Sequence, residues 1–331
     1  MSGIRIRDLR ADLSFGSLVE GLSLAGLEDG DTRSRLEALL VARGLIVFRG
    51  VEPSSRMQVA ISEVFGPLKD HPTTTTTRTA EDVAPGVIDM HYRPDPDDIG
   101  AGEGLVEIDG RKVARFSPWH FDHCYQDELN RAGVLRAPIN APVGGRTGFA
   151  DGIDLYHAFP RALRDRLEGL NIIYTLDTRL SKMRFGVNFV PLTEYASTDQ
   201  LLREAAIFPR ALHPAVWTRP QSEKGAGEKV LHFAPWMAEG IEGHEDAEGD
   251  ALFEEACQTL NRIATGAHAY FHEWEPTDMV IWDNLRMLHA VEGCDAKYER
   301  RTLRTTIRGD YGLGRFEGGK KIGEVQREIA M

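Results

Sequence analysis

The run Arg300-Arg301-Thr302-Leu303-Arg304-Thr305-Thr306-Ile307-Arg308 constrains the fold of this chain more than any other stretch. In a β-strand, side chains alternate between faces. Leu303, Thr305 and Ile307 then form one face, and Arg300, Thr302, Arg304 and Thr306 the other. The first face asks for a cover of helices. The second carries two guanidinium groups and is out of place in a plain core, where an unpaired buried charge costs on the order of several kcal/mol. It suits a barrel interior that is a ligand cavity supplying carboxylates, which arginine grips through paired hydrogen bonds. The same alternation would also serve a solvated edge strand facing acidic side chains.

Short strand-like runs recur along the chain: Gly44 to Phe48, Gly145 to Ala150, Asn171 to Leu176, Leu212 to Thr218, Lys229 to Ala234 and Met279 to Trp282. With turn chemistry between them, they point to a sandwich or jelly roll. Helical spacing appears in Leu36, Leu39 and Leu40, with Asp31-Thr32 as a cap, and in Met57, Ala60, Ile61 and Val64, stopped by Gly66-Pro67. Two later helices are expected over 153–167, interrupted by Pro160, and over 251–263. The fold class is therefore α+β, a double-stranded β-helix (jelly-roll) core with helices packed on one outer face. No stretch reads as a linker, so residues 1–331 are expected to form one domain. From about 72 to 117, five threonines followed by clustered Pro and Gly leave little room for regular structure. An insertion of that length inside a compact domain reads as a lid.

Composition removes several functions. Lys plus Arg at 39 against Asp plus Glu at 51 gives a net charge of −12, which repels a phosphate backbone. No apolar run approaches the roughly 18 residues of a membrane span. Three widely spaced cysteines, Cys124, Cys257 and Cys294, argue against a disulfide framework and suit a reducing cytoplasm. The partner expected is a small molecule, with no nucleic acid and no membrane, and the chain is expected to assemble as a homo-oligomer, a dimer or tetramer.

Trp119-His120-Phe121-Asp122 carries the chemistry. In a strand, His120 and Asp122 would project from one face about 7 Å apart, able to hold neighbouring positions on one metal ion. A distant histidine would complete two His and one carboxylate, the set that leaves three open positions on ferrous iron. Taken alone, the His-x-Asp pair also suits a surface histidine beside a strand end. Downstream, Trp282-Asp283-Asn284-Leu285-Arg286-Met287-Leu288-His289 ends a buried strand at a histidine.

These pieces, in this order, resemble the TauD/TfdA family of Fe(II)- and 2-oxoglutarate-dependent dioxygenases. The resemblance runs from about residue 15 to Asp310. It takes in the Gly44-to-Arg49 strand, Phe65-Gly66-Pro67 with His71-Pro72, Gly144-Gly145-Arg146-Thr147 and Leu212-His213-Pro214. It implies His120, Asp122 and His289 as iron ligands. It implies Arg300, eleven positions after His289, and Thr147, twenty-seven after His120, as holders of the distal carboxylate of 2-oxoglutarate. Arg304, fifteen after His289, matches a position that binds an anionic substrate group, and His71 a substrate-pocket histidine. The implied cofactors are Fe(2+), 2-oxoglutarate as co-substrate and O2; the implied reaction hydroxylates an unactivated C–H bond as 2-oxoglutarate goes to succinate and CO2. Asp122 stands where related halogenases have Gly or Ala, which favours hydroxylation.

Phe121, between the two ligand positions, departs from the small residue many members carry. With Phe116, Trp119, Phe233 and Trp236 it suggests a pocket for an apolar or aromatic substrate, so the substrate is expected to be an organic acid or an aromatic-bearing compound. His123 is expected to point away from the Asp122 side. A zinc-dependent hydrolase on the same ligands, or a catalytically silent jelly-roll binding protein, would use the same core, but the hydrolase would leave Arg300 and Thr147 without a purpose.

Overall fold

The computed structural model describes residues 3–69, 86–95, 97, 102–195, 198–220, 227–309 and 312–329. His71 and residues 72–85, 96 and 98–101 of the expected lid lie outside the described residues. Helix α1 (Gly30–Arg43) starts one acidic residue earlier than expected: Asp29, not Asp31, accepts the Thr32 amide at 3.0 Å. An N-cap needs extended backbone, and Asp29 (φ −77°, ψ 119°) provides it. The helix closes on Gly44 at φ 71°, and the chain passes directly into strand Leu45–Arg49. Helix α2 (Ser55–Phe65) is capped by Ser54, whose hydroxyl accepts from the Met57 amide.

The largest sheet among the described residues runs in the order Arg5–Asp8, Ser17–Glu20, Leu45–Arg49, Met279–Asp283, Ala132–Ile139, Arg300–Ile307, Ile88–Tyr92. The pairing of Ser17–Glu20 with Leu45–Arg49 is parallel and the others antiparallel. Alternation along its strands divides the core. Ile46, Phe48, Val134, Met279, Ile281 and Ile307 meet Leu36, Leu40, Met57 and Ile61 of the two helices. Leu45, Val47, Leu135, Val280 and Trp282 turn the other way and meet Phe149 and Met287. Phe149 and Met287 belong to a second sheet, in the order Tyr270–His272, Thr147–Asp151, Met287–Val291, Ser117–His120. Each such side chain fully buried contributes roughly 1.5–3 kcal/mol, so a shift of one residue in register would exchange the two faces and is strongly opposed.

A third sheet (Ala238–Ile241, Asn171–Tyr174, Ala211–Pro214, Arg315–Phe316) packs with helices Gly152–Ala158, Arg161–Leu167 and Ala247–Ile263. The helices therefore cover two places, not one outer face. Leu155, Leu163, Phe253 and Leu260 need a second apolar surface, and Ile172, Tyr174 and Ile241 supply it.

The insertion also differs from expectation. Ile88–Tyr92 joins the edge of the large sheet, with Ile88, Met90 and Tyr92 opposite Arg304, Thr302 and Arg300. Val106–Ile108 and Arg111–Val113 form a hairpin turned by Asp109-Gly110, at φ 49° and 73°. Asp-Gly with both residues at positive φ gives the tight turn that matches strand twist.

Candidate active site

His120 ends the strand Ser117–His120, and its antiparallel partner across the ladder is His289. That register brings the two rings to 4.0 Å between centroids. Phe149, the partner of His289 on the other side, and Trp282, at 4.8 Å, back the second ring. The strand stops at His120, so Asp122 sits in the turn beyond it. It owes its place to Asn284, whose Oδ1 accepts the Asp122 amide at 2.8 Å while its Nδ2 donates to the Asp122 carbonyl at 3.0 Å. The same Nδ2 reaches Asn130 Oδ1 at 3.0 Å. Arg286, bidentate to Asp151 at 2.7 and 2.6 Å, ties the turn before His289 to the neighbouring strand.

One ligand atom from each of His120, Asp122 and His289 lies within 4.8 Å of the others, and all three residues are buried. The donor set fits a divalent metal. His120 Nδ1 lies 2.7 Å from the Pro118 carbonyl, which fixes a proton there and leaves Nε2 its lone pair. Burial lowers His120 and takes His289 well below its ordinary value, so both rings are neutral. Burial alone would raise Asp122, but Arg304, then His289, outweigh it and hold the carboxyl below its usual range. Arg304 Nη1 bonds Asp122 Oδ1 at 2.6 Å, while Oδ2 has no hydrogen-bond partner.

The trio opens into a cavity of about 480 Å³ that Thr147, Arg300 and Arg304 also border. Arg300, 5% exposed, donates from Nη2 to the Gly145 carbonyl at 3.2 Å, and its Nε has no partner. Burial, with Arg115 nearby, brings its pKa down to about 10, so it stays cationic at neutral pH. Thr147 Oγ1 accepts the Trp274 indole N–H at 3.2 Å.

The aromatic lining is partly displaced from where the sequence suggested it. Phe233 is fully buried against Phe159 and Phe253, and Phe116 packs on Phe189; neither is among the cavity-lining residues. Phe121 borders the cavity, but its ring packs with Tyr174, His213 and His232. Phe233 lies just past the Lys229–Leu231 strand, where Phe253 of the Ala247–Ile263 helix receives it. Of the expected cluster, Trp236, edge-on to His120 at 4.9 Å, does line the cavity, and Tyr125, Tyr195 and Trp282 complete the aromatic wall. Met90 and Ile88 add apolar surface. His123, expected to point away, borders the cavity because its backbone at φ 62° turns it back.

Two neutral histidines and a carboxylate facing an open cavity, with buried Arg300 and partly buried Arg304 beside them, define a class: the ferrous dioxygenases that bind a 2-oxo acid. The family description "Taurine catabolism dioxygenase TauD, TfdA family" matches residues 5–306, and the chain belongs to that family as an Fe(II)- and 2-oxoglutarate-dependent dioxygenase. The alpha-ketoglutarate-dependent 2,4-dichlorophenoxyacetate dioxygenase of Cupriavidus pinatubonensis is 29% identical, covering 87% of this chain and 96% of that one. The (S)-phenoxypropionate/alpha-ketoglutarate-dioxygenase of Sphingobium herbicidovorans is 28% identical, covering 90% and 93%. Among solved structures, AAD-2 in complex with Mn(II) and N-oxalylglycine has a TM-score of 0.65 at 22% identity, covering 94% and 99%. A taurine dioxygenase from Burkholderia xenovorans scores 0.63 at 20%, covering 96% and 94%.

Proposed function

We propose that this dioxygenase hydroxylates a small carboxylic acid carrying an aromatic or otherwise bulky apolar body, with the two facing sheets forming the walls of a double-stranded β-helix. In this reading His120, Asp122 and His289 hold the iron. Bound there with 2-oxoglutarate and O2, the metal supplies the oxidising power that breaks the C–H bond. Arg300 and Thr147 hold the distal carboxylate of 2-oxoglutarate. Arg304 keeps Asp122 ionised through Oδ1 and offers its remaining donors to the substrate's carboxylate. Trp236, Trp282, Met90 and Ile88 exclude water and orient the apolar body.

The single observation that carries the substrate assignment is the position of Arg304: its Nη1 lies against Asp122, its Nε has no partner, and apolar side chains line the same cavity. The phenoxy acids in the names of the two relatives above agree with it. A zinc hydrolase would leave Arg300 and Thr147 idle, and a silent binding protein would leave the metal-ligand trio idle. The test is succinate release from 2-oxoglutarate with Fe(II) and ascorbate under air, over a panel of aryloxy acids, their neutral amides and taurine. Turnover coupled to the aryloxy acids and lost with the amides is the expected result; equal coupling to the amides would remove the anionic assignment.

No helix among the described residues is long and apolar enough to cross a membrane. We also place the chain in the cytoplasm, as its three unpaired cysteines suggest, and in a dimer or tetramer, for which exposed Val187, Val190 and Leu192 offer apolar surface. Light scattering checks the assembly.

A further inference from the structure

We infer that Trp274 is a positioning residue for the co-substrate: its indole N–H fixes the Thr147 hydroxyl so that the hydroxyl proton is left for the distal carboxylate of 2-oxoglutarate. The inference rests on the assignment of Thr147 to that carboxylate. An indole nitrogen donates and never accepts, whereas a hydroxyl has one proton and two lone pairs. At 3.2 Å from Trp274 Nε1, Thr147 Oγ1 must therefore be the acceptor. A threonine in a strand otherwise tends to spend its proton on a nearby carbonyl. With a lone pair committed to the indole, the hydroxyl of a residue 1% exposed is turned with its proton toward the remaining open direction, the cavity that Thr147 borders.

The indole itself is held. His272 is the ladder partner of Thr147, which puts Trp274 two residues beyond, and the His272 ring stands edge-on to Trp274 at 4.5 Å. His272 lies between the Tyr270 hydroxyl at 3.0 Å and Asp278 at 3.3 Å, and Asp278 is bidentate to Arg49 at 3.0 and 2.8 Å. These contacts give Trp274 one orientation.

The experiment titrates 2-oxoglutarate into the Mn(II)-loaded full chain by calorimetry, with no turnover. Trp274→Phe keeps a ring against His272 and loses the donor, and Trp274→Leu serves if the phenyl ring packs badly. The expected result is a three- to tenfold weaker Kd for 2-oxoglutarate and an unchanged Kd for pyruvate, which lacks the distal carboxylate. In a Thr147→Val background the Trp274 substitution adds nothing, since coupled residues are not additive. If Thr147→Val alone leaves 2-oxoglutarate binding intact, the assignment of Thr147 fails and this inference with it. If Thr147→Val weakens binding while Trp274→Phe does not, or the two losses multiply, or pyruvate weakens equally, the role of Trp274 alone is overturned.

Discussion

The two faces of the strand Arg300–Ile307 treat polar groups in opposite ways. Toward α2, Thr305 shares a 2.7 Å hydrogen bond with Ser62, and Gln58 donates to the carbonyls of Val134 and Leu303 at 2.9 Å. Gln58 Oε1 accepts from Arg136, which also reaches Ser55. Polar atoms there are satisfied from within, as a buried network must be to stabilise anything. Toward the cavity, Arg300 Nε, Arg304 Nε, Asp122 Oδ2 and His289 Nδ1 are buried without hydrogen-bond partners. Each such group costs about 1–3 kcal/mol, and a ligand is the natural completion. A structural face closes its own accounts, and a functional face is left open.

Substitutions on the two faces should separate cleanly. Asp122→Ala has the largest expected effect, loss of all metal-dependent succinate formation with a near-native circular dichroism spectrum; surviving turnover would mean the trio is not the metal site. Asn284→Ala, which frees the backbone of Asp122, should weaken Mn(II) or Fe(II) binding roughly ten- to hundredfold, as loss of outer ligand support does; an unchanged metal Kd would show that the turn holds Asp122 without it. Arg300→Ala should raise the KM for 2-oxoglutarate about ten- to hundredfold, since a charged hydrogen bond contributes roughly 1.5–3 kcal/mol, with the organic substrate's KM little changed. On the opposite face, Arg136→Met should lower stability by about 2–3 kcal/mol by stranding Gln58 and leave both KM values alone; a shifted 2-oxoglutarate KM would blur the division between faces.

The smallest effect concerns pH. Burial, outweighing its bonds to backbone, pushes His213 down to about 4, against an ordinary value near 6.5 when unfolded. As pH falls the unfolded chain takes the proton first. The stability this ring contributes is whole above 6.5 and drains between 6.5 and about 4, on the order of 3 kcal/mol. Chemical denaturation across that window should show the slope, and His213→Asn should reduce it, leaving the part due to His232, which burial pushes down to about 3; an equal slope in the variant would place the titration elsewhere.

Much of the cavity face was legible because its chemistry demands residue types that a core does not tolerate. Arg300 and Arg304 on one side of a strand, and His120, Asp122 and His289 at their spacings, stand out for that reason. The helix face hid one element. Ala132–Ile139, central in the large sheet, carries Gly133, Arg136 and Pro138, which break its apolar run. Gly133 is there because a Cβ would lie 2.8 Å from the Trp282 ring, and Arg136 because α2 satisfies it. Neither reason exists before the fold does. Asn284 escaped as a site residue on the same ground, since an amide acquires its role only from what it touches. His123 was misdirected by treating Asp122 as strand, when the ladder ends at His120.

The segment Ile88–Tyr92 borders the pocket from the last position in its sheet, bonded through backbone to a single neighbour. Main-chain ladders are indifferent to side-chain identity, so Ile88 and Met90 are free to change while Arg300 and Arg304 keep their places. The shape of the cavity can thus be remodelled along a border that no metal ligand occupies, while Arg304 stays tied to Asp122.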